Sequence, residues 1–289
     1  MTPSDLKKIL EDTLDKHISF KECVYVNWCH YPNNGDHFIA AGTFKYLKDR
    51  HIGVNSIHAN AQSQFQGQPI VSQGGGNLGD LFFNHEVFRR DLIERNHTSP
   101  IVIFPQSVFF QDPENAKVSS DIYNKHPDLT IFIREQRSYE IAQELFGNCK
   151  LVLCPDAAWY LADIVRGMLH GQLEETDTLT RNSDQISLNH VGKPWNDWVF
   201  HDWRNYFKGQ AMFSAAITYN SMFQLAHCKR LVTDRLHGHI MACMMSIPNE
   251  LLPVKYHKNQ STYETWTKHL PDTHFRFAGM DDSEIVKPQ

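Results

Sequence analysis

The sequence predicts an α/β layer fold with parallel strands, in a larger first half and a smaller second half. Three observations carry this. Up to residue 156, short apolar runs alternate with helix-like segments, a pattern that pairs strands in parallel through helical crossovers. Of the 289 residues 41% are hydrophobic and 21% charged, enough apolar material for a packed core. A middle section, about 157–206, is rich in Trp, Asp, Asn and Gly and loses periodicity; the alternation resumes after it.

The elements follow in order. Leu6, Ile9, Leu10 and Leu14 recur at helical spacing, with Ser4 or Asp5 as N-cap. "CVYVNW" (23–28) reads as a strand and 36–50 as a helix; "VNSIHA" (54–59) and "PIVSQ" (69–73) read as strands. In 79–96, Leu81, Phe82, His85, Phe88 and Leu92 share one face of an amphipathic helix. "PIVIFPQS" (100–107) and "LTIFIRE" (129–135) are buried strands, followed by a helix that stops at Gly147 and a strand at 150–156. The domain junction is placed near 160–175, giving domains 1–165 and 166–289. In the second, 209–230 is a long buried helix and 230–234 a strand. A further helix opens at Arg235, 249–254 is a strand, and "TYETWTKHL" (262–270) is the last helix.

Bulk properties exclude several classes. A net charge of −5 argues against a sequence-independent nucleic-acid binder, which needs a basic surface. The six cysteines form no C-x-x-C, and several lie in apolar runs, so they read as free thiols in a reducing compartment; their spacing argues against a zinc site, while the 17 histidines leave His-based ligation open. The N-terminus has no signal-peptide core, and no apolar run reaches the roughly 18 residues of a membrane span. The expectation is a soluble, cytoplasmic protein.

Four stretches carry chemistry. "NNGDHF" (33–38) and "NLGDLF" (77–82) repeat N-x-G-D-x-F at strand-to-helix turns, putting Asp36 and Asp80 where an N-cap carboxylate belongs. Such turns lie outside the carboxyl ends of parallel strands, where ligands bind. "QGGGNLGD" (73–80) contains G-x-G-x-x-G, but the next strand ends in Pro105-Gln106-Ser107 with no acid for a ribose, so dinucleotide binding fails its second test. What survives is a glycine turn whose bare N–H groups can approach an anion or a sugar, a tight turn alone being the plain alternative. "IREQRS" puts Arg134 and Arg137 at a strand exit, which suits a phosphate or carboxylate; a surface ion pair with Glu135 or Glu140 is the plain alternative. In "TDRLHGHIMA", Thr233 or Asp234 can cap a helix whose start carries Arg235 and His237. His239 lies about 200° further round, so His237 is assigned to the pocket and His239 to internal packing.

Taken in order, "NNGDH", "GGGNLGD", "FPQS", "IREQRS", "TDRLHGHIMA" and "VKYHKNQSTYETW" resemble the polysaccharide pyruvyl transferase family over about 25–270. The resemblance implies two Rossmann-like domains with a cleft between them (GT-B-like). It also implies transfer of the pyruvyl group of phosphoenolpyruvate to a sugar as a cyclic ketal, with no metal and no cofactor beyond that co-substrate. His237 matches the family's catalytic histidine. Arg134, Arg235 and Lys258 match its basic positions, with Leu236, Gly75, Gly76 and Asn77 beside them on the donor side. Asp36 or Asp80 would orient or deprotonate the acceptor hydroxyl. Where the family reads like "NSYGK" this chain has "VKYHKNQ": a His stands for the Gly, and Lys255 is a second candidate cation. "TRNSD" (180–184) and "PWNDW" (194–198) could stack on a sugar or pack between domains. The implied partners are phosphoenolpyruvate and a glycan or glycolipid acceptor. A lipid-linked acceptor would bring the chain to a membrane surface peripherally, and the sequence carries no signal of oligomeric state. The alternatives are a nucleotide-sugar glycosyltransferase on the same architecture and a sugar-binding protein without catalysis.

Overall fold

The computed structural model describes residues 1–31, 33–58, 64–165, 176–179, 210–226 and 228–277. Helix α1 (Pro3–His17) starts in a capping box at Thr2, two or three residues ahead of the expected cap at Ser4 or Asp5, with Asp5 as the reciprocal partner. Then come β1 (Glu22–Val26), α2 (Asn34–Asp49), β2 (Gly53–Ile57), β3 (Ile70–Ser72), β4 (Gly75–Gly79), α3 (Phe83–Arg95) and β5 (Ile101–Phe109). The first half continues with α4 (Pro113–Tyr123), β6 (Leu129–Ile133), α5 (Gln136–Leu145), β7 (Lys150–Leu153), a 3₁₀ turn (Ala157–Leu161) and α6 (Ala162–Val165). The second half holds β8 (Thr176–Leu179), α7 (Gln210–Leu225), β9 (Arg230–Thr233), α8 (Leu236–Met244), β10 (Asn249–Leu251), α9 (Lys258–Thr262) and β11 (Thr273–Phe275).

The strands form two parallel sheets. One has seven strands in the order β2-β1-β3-β5-β6-β7 with β4 added to β5; the other runs β11-β10-β9-β8. The expected α/β class with a mostly parallel sheet is what the chain adopts. Along β5, Val102 and Phe104 face one core and Ile101 and Ile103 the other, so the strand is apolar on both faces, as a covered parallel sheet requires. The first core is continuous from Leu6 on α1, through Phe38 on α2 and Trp159, to Met222 on α7 and Ile240 on α8. From β1 the chain goes first to β2 on one side and then to β3 on the other. That reversal opens a crevice at the carboxyl ends of β1 and β3. No described helix is long and apolar enough to cross a membrane. None of the six cysteines forms a disulfide, and five are buried.

Several expectations are corrected. The glycine-rich stretch is not only a turn: Gly75–Gly79 forms β4, paired with β5. Gly79 there has φ 124, and a Cβ on it would stand 1.8 Å from the Phe109 carbonyl oxygen, so only glycine fits. Neither aspartate caps its own helix. Asn33 caps α2, its side chain accepting from the Gly35 and Asp36 N–H groups, while α3 starts without a side-chain cap. The expected apolar face of α3 is buried only in part: Leu92 is buried and Leu81 and Phe88 pack partly buried, but Phe82 is exposed, and Glu86, Arg89 and Ile93 are buried outside that face. Helix α4 and strand β11 were not expected. The last helical segment starts at Lys258, ahead of the expected 262, and continues as a π-turn over Tyr263–Thr267. The boundary between 165 and 166 falls at the edge of the described residues, and "TRNSD" and "PWNDW" lie outside them.

Candidate functional site

Three chain segments converge above the crevice. The first is the start of α2, where the Asn33 cap brings Gly35 and Asp36 to the rim. The second is the exit of β6 and β7, carrying Arg134 and Asp156. The third is the start of α8. The Thr233 hydroxyl accepts the Arg235 N–H at 2.9 Å, and Arg235 itself occupies the N-cap position, so the helix opens at Leu236 rather than at Arg235. His237 then projects from its first turn.

Asp156 joins these segments. Its Oδ2 lies 2.9 Å from Arg134 Nη1 and 3.4 Å from His237 Nε2, and its Oδ1 accepts the Ala158 N–H at 2.8 Å. Arg134 is 2% exposed and also donates from Nε to the Ser107 hydroxyl at 2.8 Å. Burial by itself would raise the Asp156 pKa; the His237 imidazole and the Arg134 guanidinium outweigh it and hold the carboxyl well below the usual range. Burial likewise works against the Arg134 charge, and the Asp156 and Glu135 carboxylates more than restore it. The result is a line of contacts from a buried guanidinium through a buried carboxylate to an imidazole that is 12% exposed.

The glycines make room around this line. A Cβ on Gly35 would lie 2.5 Å from His237 Nδ1, and one on Gly76 would lie 2.8 Å from Arg134 Nη2 and 3.3 Å from the Tyr256 hydroxyl. Gly75 faces Asp36, whose Oδ1 is 3.7 Å from the place a Cβ would take, and Asp36 Oδ2 accepts from the Tyr31 hydroxyl at 2.8 Å.

Of the residues singled out by sequence, His237, Arg134, Gly75, Gly76 and Asp36 are brought together here. Arg235 and Leu236 are buried immediately before His237. Lys258 is buried with its ammonium 5.1 Å from the Tyr256 ring centroid, whereas Lys255 is exposed. Two are directed elsewhere. The Asn77 side chain accepts from Arg89 Nη2 at 2.7 Å. Asp80 accepts the N–H groups of Gln111 and Asp112 at 2.7 and 2.8 Å, and so secures the entry to α4 instead of reaching the line. Arg137 makes the surface pair expected as its plain alternative, with Glu140 at 3.0 Å. Asp156 and Tyr256 were missed. Asp156 ends "KLVLCPD", and the rule that ligands gather at strand exits, already applied to Arg134, would have marked it. Among the described residues no group of three or more His, Cys, Asp and Glu is placed to hold a metal.

The chain is similar in sequence and in fold to known proteins. Residues 33–217 match the description Polysaccharide pyruvyl transferase. The chain belongs to that family. It is 28% identical to the putative pyruvyl transferase EpsO of Bacillus subtilis (strain 168), over 93% of this chain and 92% of that one. It is 26% identical to Pyruvyl transferase 1 of Schizosaccharomyces pombe (strain 972 / ATCC 24843), over 79% of this chain and 65% of the yeast protein. A solved structure, the functional uncharacterized protein KP1_0663 from Klebsiella pneumoniae subsp. pneumoniae NTUH-K2044, shares the fold with a TM-score of 0.69 at 21% identity, covering 96% of this chain and 100% of that one.

The second histidine of "TDRLHGHIMA" is structural. His239 is fully buried, with Nδ1 2.6 Å from Asn249 Oδ1 and Nε2 2.9 Å from Thr267 Oγ1. Burial pushes its pKa down to about 4 in spite of the Asn249 contact. In the unfolded chain the imidazole takes up its proton near 6.5, so between about 6.5 and 4 the unfolded state binds more protons than the folded one. Stability is therefore full above about pH 6.5 and falls as the pH drops towards 4, by up to roughly 3 kcal/mol from this group. Thermal unfolding followed by circular dichroism should show Tm declining over that window. A His239→Gln variant, which cannot titrate, should show a shallower decline; an identical slope would remove His239 as its source.

Proposed function

We propose that the protein transfers the pyruvyl group of phosphoenolpyruvate to a sugar of an exopolysaccharide or cell-wall glycan precursor and closes it as a cyclic ketal. The observation that carries this reading is the Arg134–Asp156–His237 line at the crevice. It sets a proton-carrying group beside a buried permanent cation, the pair that an anionic enol phosphate needs. Family membership supports pyruvyl transfer in general.

In this reading the donor lies against Gly76, where Arg134 Nη2 and the Tyr256 hydroxyl converge and no side chain intervenes. Arg235 and Lys258 add positive charge, and a guanidinium fork suits either phosphate or carboxylate. An acid protonates the methylene carbon, C2 gains oxocarbenium character, and a sugar hydroxyl attacks it while losing its proton. Phosphate leaves with the C2–O bond electrons, and a second hydroxyl attacks C2 and gives up its proton, which balances the one spent on the methylene carbon, to close the ketal. His237 serves the proton steps, a role typically worth about 10²–10⁴-fold. Asp156 supplies the counter-charge the imidazole needs while it holds a proton. Asp36 faces the acceptor side. The cations stabilise the departing phosphate. No metal or further cofactor takes part. The two sheets are read as halves of a GT-B-like arrangement, 1–165 on the acceptor side and lending Gly76 and Arg134 to the donor, 166–289 on the donor side, working in the cytoplasm.

The test is direct. The protein is incubated with phosphoenolpyruvate and candidate acceptor sugars, and phosphate release and the ketal methyl signal are followed. Acceptor-dependent release of phosphate with growth of the methyl signal is expected. Hydrolysis of a nucleotide sugar with no consumption of phosphoenolpyruvate would replace this reading by a glycosyltransferase.

A further inference from the structure

The segment from Tyr256 to Trp266 does two things. It sends Tyr256 and Lys258 inward, 7% and 5% exposed, with the Tyr256 hydroxyl beside Arg134 Nη2 and Gly76. It also grips the start of α5, the helix that follows Arg134. Glu135 stands at the N-cap of that helix without a capping hydrogen bond of its own. The first N–H groups are satisfied from the other half of the chain instead: Gln136 N–H donates to Thr265 Oγ1 at 3.1 Å and Arg137 N–H to Ser261 Oγ at 3.0 Å. Trp266 Nε1 donates to the Arg134 carbonyl at 2.6 Å. Between Tyr256 and Lys258 sits His257, its Nε2 3.0 Å from Ser138 Oγ and 3.6 Å from Glu135 Oε1.

The proton count at Ser138 fixes the direction of that contact. Its oxygen accepts the Val108 N–H at 2.8 Å, and its one proton is taken up by acceptors, the close Glu135 Oε1 and, at 3.4 Å, the Val108 carbonyl oxygen, so none is left for the imidazole. The imidazole must therefore be the donor, through Nε2–H. Glu135 in turn accepts Ser107 Oγ at 2.9 Å, and Ser107 Oγ accepts Arg134 Nε at 2.8 Å. A chain of hydrogen bonds thus runs from His257 to the guanidinium, through groups that are all buried.

We propose that His257 is a positioning residue for the donor side. Its Nε2–H clasps the Tyr256–Lys258 segment to Ser138 and Glu135, and so sets the separation between Arg134 in one half and Tyr256 and Lys258 in the other. A donor with two anionic groups is held tightly only when its cations stand at a set distance. The inference rests on the donor reading above and gives a task to the histidine that replaces the family's usual glycine.

Two variants test it. His257→Leu keeps bulk but has no N–H; His257→Gln restores a donor. His257→Leu should raise KM for phosphoenolpyruvate about tenfold, the loss of one hydrogen bond to a charged network. It should leave kcat within about twofold and Tm within about 2 °C. His257→Gln should recover most of the KM. Hydrogen exchange at the Gln136 and Arg137 amides should quicken in the Leu variant and return in the Gln variant. An unchanged KM with unchanged exchange overturns the proposal; so does a Gln variant that behaves like Leu, or a joint collapse of kcat and Tm. If the wild-type protein consumes no phosphoenolpyruvate, the donor reading falls, and the exchange measurement decides the clasp alone, faster exchange supporting it and unchanged exchange overturning it.

Discussion

Replacing His237 by alanine should lower kcat by about 10²–10⁴-fold while the protein stays folded. The imidazole is the group that can both give and take a proton at the crevice, and its Nε2 stands 3.4 Å from a carboxylate already tied to Arg134. Removing it does not leave Asp156 alone, because the guanidinium at 2.9 Å and the Ala158 N–H remain. The stability loss should therefore be small, and circular dichroism with a thermal melt would establish that the fold is intact. Gly35→Ala is the companion variant. Its new Cβ would stand 2.5 Å from His237 Nδ1 and would push the ring aside without touching it chemically. A misplacement of this size should cost about 10²-fold in turnover. Full activity in His237→Ala, measured as acceptor-dependent phosphate release, would end the proton-shuttle role.

The largest stability effect is expected at a place remote from the chemistry. Glu86 and Arg89 are both fully buried on α3 and paired at 2.7 Å. Glu86 also accepts the Gly79 N–H at 3.1 Å, Ser119 Oγ at 2.5 Å and the Tyr123 hydroxyl at 2.9 Å. Glu86→Ala would leave Arg89 as an uncompensated charge in the interior, a cost of about 3–5 kcal/mol. A typical domain has only about 5–15 kcal/mol in total. Tm should fall by roughly 10 °C, and much of the protein should become insoluble. By contrast, breaking the half-exposed Lys45–Asp49 pair on α2 should change stability by under about 0.5 kcal/mol. A double replacement, Glu86→Leu with Arg89→Met, should recover most of the loss, since no lone charge then remains. If Glu86→Ala melts with the parent protein, the pair is not what holds this face. Arg89 also holds Asn77, so the network steadies β4, the strand that carries Gly75 and Gly76 to the site.

That network explains where sequence reading stopped. Periodicity finds elements whose buried face is apolar. The strands at 101–109 and 129–133 and the helix at 34–49 satisfy this and were legible. Helix α4 buries Ala116, Ser119 and Tyr123, the last two donating to Glu86, and leaves Val118 exposed, so no apolar stripe announced it. For the same reason the apolar pattern of α3 shows only part of its buried face. Beside Leu92 and Ile93 the interior takes a carboxylate and a guanidinium, buried because partners from α4 and β4 satisfy them.

For the candidate site, the chain by itself determined the residue types and their local posture. Glycine at 35 and 76, arginine at the exit of β6 and the angular split between His237 and His239 all follow from spacing and backbone chemistry within a few residues. The partners are another matter. Arg134, Asp156 and His237 are far apart in sequence, and their hydrogen bonds exist only because parallel strands stop at one edge and α8 begins above it. Whether Asp36 or Asp80 turned towards the crevice was likewise settled by what stood opposite each: Tyr31 and Gly75 for the first, the free N–H groups ahead of α4 for the second. Local pattern chooses which groups are offered; the surrounding fold chooses which of them meet, because a polar side chain settles where its unsatisfied partners are.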